Sequence, residues 1–286
     1  MPEGVELVAE PDPDVEMMVL GPELARDVPA IFQQLPGLRV VQSFSAGVDY
    51  LLPLIPRGVT LYSAAGVHDI SVSEWVVGVI LAMRRRLPEF GELQRRAEWK
   101  REMAEPDDFS NHPIDDLEDR TVLVLGYGSI GKALASRLAP FGARVVGVAQ
   151  HARPDAVTAE SLSELLPDAD VVVDLLPLTA RTRKFVDAEF FSRMKPGALF
   201  VNAGRGGTVD TDALLDALRS GRIRAALDVT DPEPLRAEHP LWKEPNVLIT
   251  PHIAGTVARW ERRAYRFAGE QIRRYAAGRP LLGVQG

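Results

Sequence analysis

The sequence predicts an α/β protein built around a doubly wound parallel sheet, and three observations carry that prediction. From Thr121 onward, apolar strand-like runs alternate with helical segments about every 20–25 residues. The runs are apolar on both faces, as strands of a parallel sheet covered by helices on each side must be. A glycine-rich turn, Gly126-Tyr127-Gly128-Ser129-Ile130-Gly131, sits between the first run and the helix that follows it.

Each element follows from local pattern. Near the start, Glu6–Ala9, Met17–Leu20 and Leu38–Phe44 read as strands and Pro22–Leu35 as a short helix, with turn residues between them. Ser71–Arg86 reads as a buried helix. Ser71 with Glu74 three residues on suggests a capping box, and the last turn is basic. Arg95–Asp116 is polar and contains Pro106 and Pro113, which suits a traverse over the surface. Then come strand Thr121–Gly126, helix Ser129–Phe141, strand Ala143–Ala149, a short helix in Ser161–Asp170 and strand Val171–Pro177. Helix Asp187–Met194, strand Ala198–Gly204, helix Thr211–Gly221 and strands Arg224–Val229 and Asn246–Pro251 complete the pattern. A final helix, Val257–Ala277, is long enough to cross back onto the N-terminal segment. Two domains are expected: residues 1–68 with 257–286, discontinuous, and residues 69–256, which hold the glycine-rich turn.

Composition removes several classes of function. With no cysteine, the chain has neither disulfides nor thiolate chemistry. Paired-histidine spacing is also missing, so no metal is expected. A net charge of −7 argues against a general nucleic-acid binder but permits a local basic patch for an anionic ligand. No run approaches the roughly 18 apolar residues of a membrane span. The acidic start of the chain has no secretory pattern, so a cytoplasmic protein is expected, with no membrane partner.

The glycine turn has a mechanism behind it. Gly126 permits the tight turn, Gly128 lets backbone approach a pyrophosphate, and Gly131 lets the helix lie close to the strand. The helix N-terminus then presents free N–H groups to phosphates, the Rossmann arrangement. A carboxylate after the second strand would accept from the ribose 2′-OH of NAD. Val148–Pro154 has none: Ala149 stands where it would be, with Gln150, His151 and Arg153 beyond. Arg153, with His151, could pair with a 2′-phosphate, so NADP is favoured over NAD.

Three further segments leave predicted strands at the carboxyl edge of the sheet, where such folds bind ligands. They are Val201–Gly207 (VNAGRGG), Leu227–Pro234 (LDVTDPEP) and Ile249–Gly255 (ITPHIAG). With SAGVDYL, LPLTARTRKFVD and the SVSEWVVGVILAMRRRL helix, they make the chain resemble the D-isomer-specific 2-hydroxyacid dehydrogenases, in particular the glyoxylate/hydroxypyruvate reductase-like members. The likeness runs nearly unbroken from Asp119 to Thr256. It implies a flavodoxin-like substrate domain beside the Rossmann domain.

It also implies roles. Arg205 would grip the substrate carboxylate with its planar fork. His252 would donate a proton to the carbonyl oxygen, and Glu233 would pair with His252 and keep that proton available. Asp228 would hold the nicotinamide carboxamide. Backbone N–H groups at Ser45, Ala46 and Gly47 would take the other side of the substrate carboxylate. Further cofactor contacts would come from Gln150, Leu176, Pro177, Thr182, Ala203, Gly204, His252 and Gly255. His68, His112, His151 and His239 have no comparable context and read as structural or surface residues.

Ser45 arrives earlier than in most members, so the opening of the substrate domain reads as shortened, which bears most on substrate identity. The leading expectation is reduction of a small 2-oxo acid to its D-2-hydroxy acid. The alternatives are an NAD-linked dehydrogenase of a bulkier hydroxy acid or other oxyanion, and a nicotinamide-sensing binding protein without turnover. The apolar Ser71–Arg86 helix is expected to contribute to a homodimer interface.

Overall fold

A computed structural model of the chain describes residues 4–21, 28–104 and 114–285. Its strands are β1 (Met17–Leu20), β2 (Val40–Ser43), β3 (Thr60–Tyr62), β4 (Thr121–Leu125), β5 (Arg144–Val148), β6 (Val171–Asp174), β7 (Leu199–Asn202), β8 (Arg224–Leu227), β9 (Val247–Ile249) and β10 (Val284–Gln285). Its helices are α1 (Val28–Gln33), α2 (Asp69–Arg84), α3 (Leu87–Arg95), α4 (Ser129–Leu138), α5 (Leu162–Leu165), α6 (Ala188–Arg193), α7 (Thr211–Arg219) and α8 (Trp260–Ala276). The chain divides into two units, Met1–Asp69 with Val257–Gly286, and Ile70–Thr256.

In the first unit the sheet order is β1-β2-β3-β10, the first three strands parallel and β10 antiparallel to β3. Met18, Leu20, Phe32, Val41, Leu51 and Leu61 form one core cluster. Phe44, Ala264 and Ala268 form another, which seats α8. Gln271 on α8 is fully buried. Its amide donates to Gln42 Oε1 at 2.7 Å and to the Leu282 carbonyl at 2.8 Å, which fastens the C-terminal segment to β2.

Several expectations need correction here. Glu6–Ala9 forms no strand. Leu7 and Val8 are exposed, and two apolar residues without a pairing strand cannot bury enough surface to order an extended segment. The helix expected over Pro22–Leu35 spans Val28–Gln33; residues 22–27 lie outside the described residues, as do Pro106, His112 and Pro113. The proposed capping box is absent because α2 begins at Asp69, which places Ser71 inside the first turn. Ser71 is buried and its Oγ donates to the Gly255 carbonyl at 3.4 Å. Glu74 points outward toward Arg137. Strand β3 and helix α3 were not anticipated.

The second unit holds a six-stranded, all-parallel sheet in the order β5-β4-β6-β7-β8-β9. Chain direction across the sheet reverses between β4 and β6, which opens a crevice at their carboxyl ends. Alternate residues feed opposite faces. Leu123, Leu125, Val172 and Phe200 join Phe190, Phe191, Met194 and Leu214 on one side. Val122, Val124, Val173 and Val201 join Val76, Ile80 and Leu134 on the other. Each such side chain contributes about 1.5–3 kcal/mol on burial, which is why the strands read as continuous apolar runs. Beyond β5 the chain returns to pair once more: Val157 N donates to the Gly147 carbonyl at 2.9 Å, and Ala149 N to the Val157 carbonyl at 2.8 Å. No helix among the described residues is long and apolar enough to cross a membrane.

Candidate active site

The site is built where parallel strands end and loops begin. After β4 the chain turns through Gly126, whose φ is +82°, and whose missing Cβ would stand 2.7 Å from the Leu175 carbonyl oxygen. The N–H groups of Gly126 and Tyr127 both donate to the Val148 carbonyl at 3.0 Å, so β5 holds the turn in place. Gly128 then opens α4. A Cβ on Gly128 would meet no protein atom within 4 Å, so nothing in the chain itself requires glycine there. A pyrophosphate approaching the helix N-terminus does require it, and the loop fits such a group.

The loop after β5 carries exposed Gln150, His151 and Arg153. Arg153 reaches back to donate to the Tyr127 carbonyl. It also faces Asp155 at 3.4 Å, and Lys132 on α4 reaches the same carboxylate at 2.8 Å. The Lys132 hydrogen bond holds the Asp155 carboxyl below the usual carboxylate range. Neither Lys132 nor Asp155 was anticipated, although Asp155 lies only two residues past Arg153.

Strand β6 ends in Asp174, which is fully buried. Its Oδ1 accepts from Leu176 N at 2.9 Å and its Oδ2 lies 2.6 Å from Thr208 Oγ. Burial pushes its carboxyl up to about 6. Past Leu176, the loop is closed by Thr182, whose hydroxyl donates to the Pro177 carbonyl at 2.6 Å. Strand β7 ends in buried Asn202, whose Oδ1 accepts from Gly204 N at 3.0 Å, just past Ala203. Arg205 follows, with a guanidinium N–H donating to the Gly204 carbonyl at 2.8 Å. Its own carbonyl accepts from Asn202 Nδ2 at 3.2 Å and lies 2.6 Å from Thr208 Oγ.

The three strand-end loops are stitched together. A Cβ on Gly206 would stand 1.9 Å from the Thr230 carbonyl oxygen, so glycine lets the loops after β7 and β8 meet backbone to backbone. The β8 loop runs on to Glu233, which lies between two cis peptide bonds, Asp231–Pro232 and Glu233–Pro234. Glu233 Oε1 stands 2.6 Å from His252 Nδ1 in the β9 loop, both side chains roughly half exposed. That contact leaves Nε2 as the ring nitrogen turned away from the carboxylate. His252 has a φ of +55°, a left-handed conformation that costs about 1–3 kcal/mol and must be held. Asp228 holds it: its backbone carbonyl accepts from His252 N at 2.8 Å. Its carboxylate accepts from Thr250 Oγ at 2.6 Å, Ile253 N at 2.9 Å and Ala254 N at 2.8 Å. This anchoring duty was invisible in the sequence, where Asp228 read only as a cofactor ligand.

Ser45, Ala46 and Gly47 belong to the first unit, where they follow β2 and are partly buried. Ser45 N donates to Ser43 Oγ at 3.0 Å, and its carbonyl accepts from Ala64 N at 2.9 Å.

Comparison with known proteins bears on the family and the fold. A family model described as D-isomer specific 2-hydroxyacid dehydrogenase, NAD binding domain, matches residues 77–254. The chain is 37% identical over 263 residues to a glyoxylate/hydroxypyruvate reductase B of Escherichia fergusonii, covering 88% of this chain and 78% of that one. Among solved structures it is similar to the NADPH-dependent glyoxylate/hydroxypyruvate reductase of Sinorhizobium meliloti in complex with NADP and sulfate. There the TM-score is 0.83 at 31% identity, over 97% of this chain and 86% of that one. It is also similar to a D-isomer specific 2-hydroxyacid dehydrogenase of Xanthobacter autotrophicus Py2 in complex with NADPH and MES. The TM-score is 0.81 at 32% identity, over 96% and 85% of the two chains.

Proposed function

The chain belongs to the D-isomer-specific 2-hydroxyacid dehydrogenases, an NAD(P)-dependent enzyme family, and from that premise we propose that it reduces a small 2-oxo acid, such as glyoxylate or hydroxypyruvate, to the D-2-hydroxy acid. The observation that carries the reading is the 2.6 Å contact between His252 and Glu233, on loops joined to that of Arg205. Arg205 binds the substrate carboxylate through its fork of donors. When bound, the reduced nicotinamide supplies a hydride to the carbonyl carbon. His252 as the imidazolium gives its Nε2 proton to the carbonyl oxygen and is left as the Nδ1–H tautomer, and Glu233, accepting from Nδ1–H, fixes the ring orientation throughout. In the oxidative direction the same nitrogen takes the proton back. Asp228 keeps His252 in register and accepts from the nicotinamide carboxamide. Residues 69–256 serve the cofactor. Residues 1–68 with 257–286 serve the substrate, to which Ala46 and Gly47 offer backbone N–H groups, while the third expected donor, Ser45 N–H, is engaged by Ser43 Oγ at 3.0 Å.

NADPH is favoured over NADH. Support comes from the two cations, Arg153 and Lys132, that gather beside the glycine loop, a pairing suited to a 2′-phosphate. One observation favours a second reading: Asp155 already engages both cations, as a site for an unphosphorylated ribose could tolerate.

The enzyme works in the cytoplasm as a homodimer. One face of α2 packs in its own unit's core, and exposed Ile70 with half-buried Trp75, Val77 and Leu81 on α2, together with exposed Leu87 and Trp99 in the segment that follows, offers apolar surface to a partner. Light scattering at micromolar concentration should return twice the chain mass, and a monomer mass would remove the dimer.

The test of function is the loss of reduced-nicotinamide absorbance with NADPH and NADH in parallel. Glyoxylate, hydroxypyruvate, pyruvate and an aromatic 2-oxo acid serve as substrates. Turnover with the small acids and NADPH is expected. Silence across the panel despite tight cofactor binding would replace the enzyme with a nicotinamide-sensing binding protein.

A further inference from the structure

Thr208 raises a problem of proton count. Its hydroxyl carries one hydrogen, yet its oxygen stands 2.6 Å from Asp174 Oδ2 and 2.6 Å from the Arg205 carbonyl oxygen, both acceptors in their ordinary forms. One O–H cannot serve two acceptors at full strength. Both contacts become complete hydrogen bonds if Asp174 carries the proton. Oδ2–H then donates to Thr208 Oγ, and Thr208 O–H donates to the Arg205 carbonyl. Oδ1 meanwhile accepts from Leu176 N in either state.

We propose that Asp174 is a positioning residue whose proton, relayed through Thr208, tightens the loop that carries Arg205 and so sets how firmly the substrate carboxylate is held. The proposal rests on Arg205 being the carboxylate ligand. Asp174 never touches the substrate; it acts through Thr208 on the backbone of Arg205. When Asp174 ionises, the hydroxyl of Thr208 turns to the carboxylate. The Arg205 carbonyl is then left with Asn202 Nδ2 and the Thr208 N–H, at 3.2 Å each.

The surroundings favour the protonated form. On β4 the paired residue is Leu125 and on β7 it is Asn202, neither of which is charged. The β7 loop brings Thr208 and Arg205, and the Arg205 guanidinium donates to the Gly204 carbonyl. On the loop after β6, Arg183 lies near Gly207, and Lys184 pairs with Asp210 at 3.1 Å. Desolvation is the largest influence on Asp174, and it holds the proton up to about pH 6, against about 3.9 for an aspartate in the unfolded chain.

The sign follows. Between the unfolded and folded values the native state binds more protons, so stability contributed by neutral Asp174 is lost as pH rises through that window and is absent above it. Asp174→Asn is the informative variant, because its amide donates to Thr208 and its carbonyl accepts from Leu176 at every pH. Thr208→Val removes the relay at every pH.

Two readouts test this. Relative to Asp174→Asn, the wild-type KM for the 2-oxo acid should rise about fivefold between about pH 5.5 and about pH 7.5, with the cofactor KM unmoved. Thr208→Val should show the raised KM at both ends. In melting curves without cofactor, Asp174→Asn should exceed wild type by roughly 4 °C above pH 7, the gap narrowing as pH falls through about 6 and closing only toward about pH 4. Parallel KM profiles, or a melting gap independent of pH, would overturn the proposal. A wild type without turnover defeats the parent reading instead, and the melting comparison alone then decides Asp174.

Discussion

The two edges of the six-stranded sheet meet the same helix dipoles with opposite chemistry. Helices α4, α6 and α7 start at the carboxyl edge, where their N-termini carry partial positive charge. That edge answers with acceptors. Asp187 caps α6 by accepting from Phe190 N at 2.9 Å, Asp210 caps α7, and Gly128 leaves the start of α4 open for phosphates. Helix C-termini, with partial negative charge, lie at the amino edge, and that edge answers with guanidinium groups. Arg222 donates to the carbonyls of Phe191 at 3.1 Å, Ser192, and Met194 at 2.8 Å, where α6 ends. Arg224 is buried and donates to the Met83 carbonyl at the end of α2. Burial pulls the Arg224 guanidinium down to about 10, so it still carries its charge at neutral pH. The carboxyl edge holds helix starts with carboxylates and also carries the proposed site, whereas the amino edge holds helix ends with guanidinium groups.

Substitutions at the two edges should therefore separate activity from stability. The largest effect belongs to the carboxyl edge: His252→Ala should lower kcat by about 10²–10⁴ with the melting temperature little changed. A melting loss of the same variant would show that the His252 loop is part of the scaffold. At the amino edge the reverse holds. Arg222→Ala removes a donor from three carbonyls, of which that of Phe191 keeps Met194 N at 3.3 Å, and should cost about 2 kcal/mol in denaturant unfolding, with activity per folded molecule intact. A change in KM for either substrate would blur the division.

Smaller effects sharpen it. Gly128→Ala should raise the cofactor KM about tenfold without changing stability, since the added methyl meets no protein atom within 4 Å. Unaltered cofactor binding would detach the glycine loop from the phosphates. Smallest of all, Asp155→Asn frees Lys132 and Arg153 and should shift kcat/KM toward NADPH about threefold, an effect that salt should mute. A shift toward NADH would make Asp155 a guard of the phosphate rather than its competitor.

The second unit was legible because its signals are local. Val122–Leu125, Val171–Val173 and Leu199–Val201 are buried on both faces, and so each is apolar along its length. Arg205, Glu233 and His252 were singled out by resemblance, and the structure brings the last two within 2.6 Å of each other. What escaped notice depends on distant partners. Thr60–Tyr62 is three residues long with only Leu61 in the core, and it becomes a strand because β2 lies beside it. In the sequence Asp174 fell in the middle of the expected strand Val171–Pro177 and had no role. Nothing in VVVD announces Thr208, 34 residues away. Ser71 misled in the opposite sense: a serine with a glutamate three residues on has the spacing of a cap, but the helix had already begun at Asp69.

The short pairing of Val157 with Gly147 and Ala149 bears on how the protein behaves when concentrated. β5 ends the named sheet, and an end strand offers a row of unpaired N–H and C=O groups on which another chain can add a strand. The returning segment occupies part of that row, and exposed Arg144 stands at the strand's start. At the far end, β9 is only three residues long. With one margin partly covered and the other only three residues long, the sheet gives intermolecular strand addition little to start from, which favours the dissolved protein over fibrils.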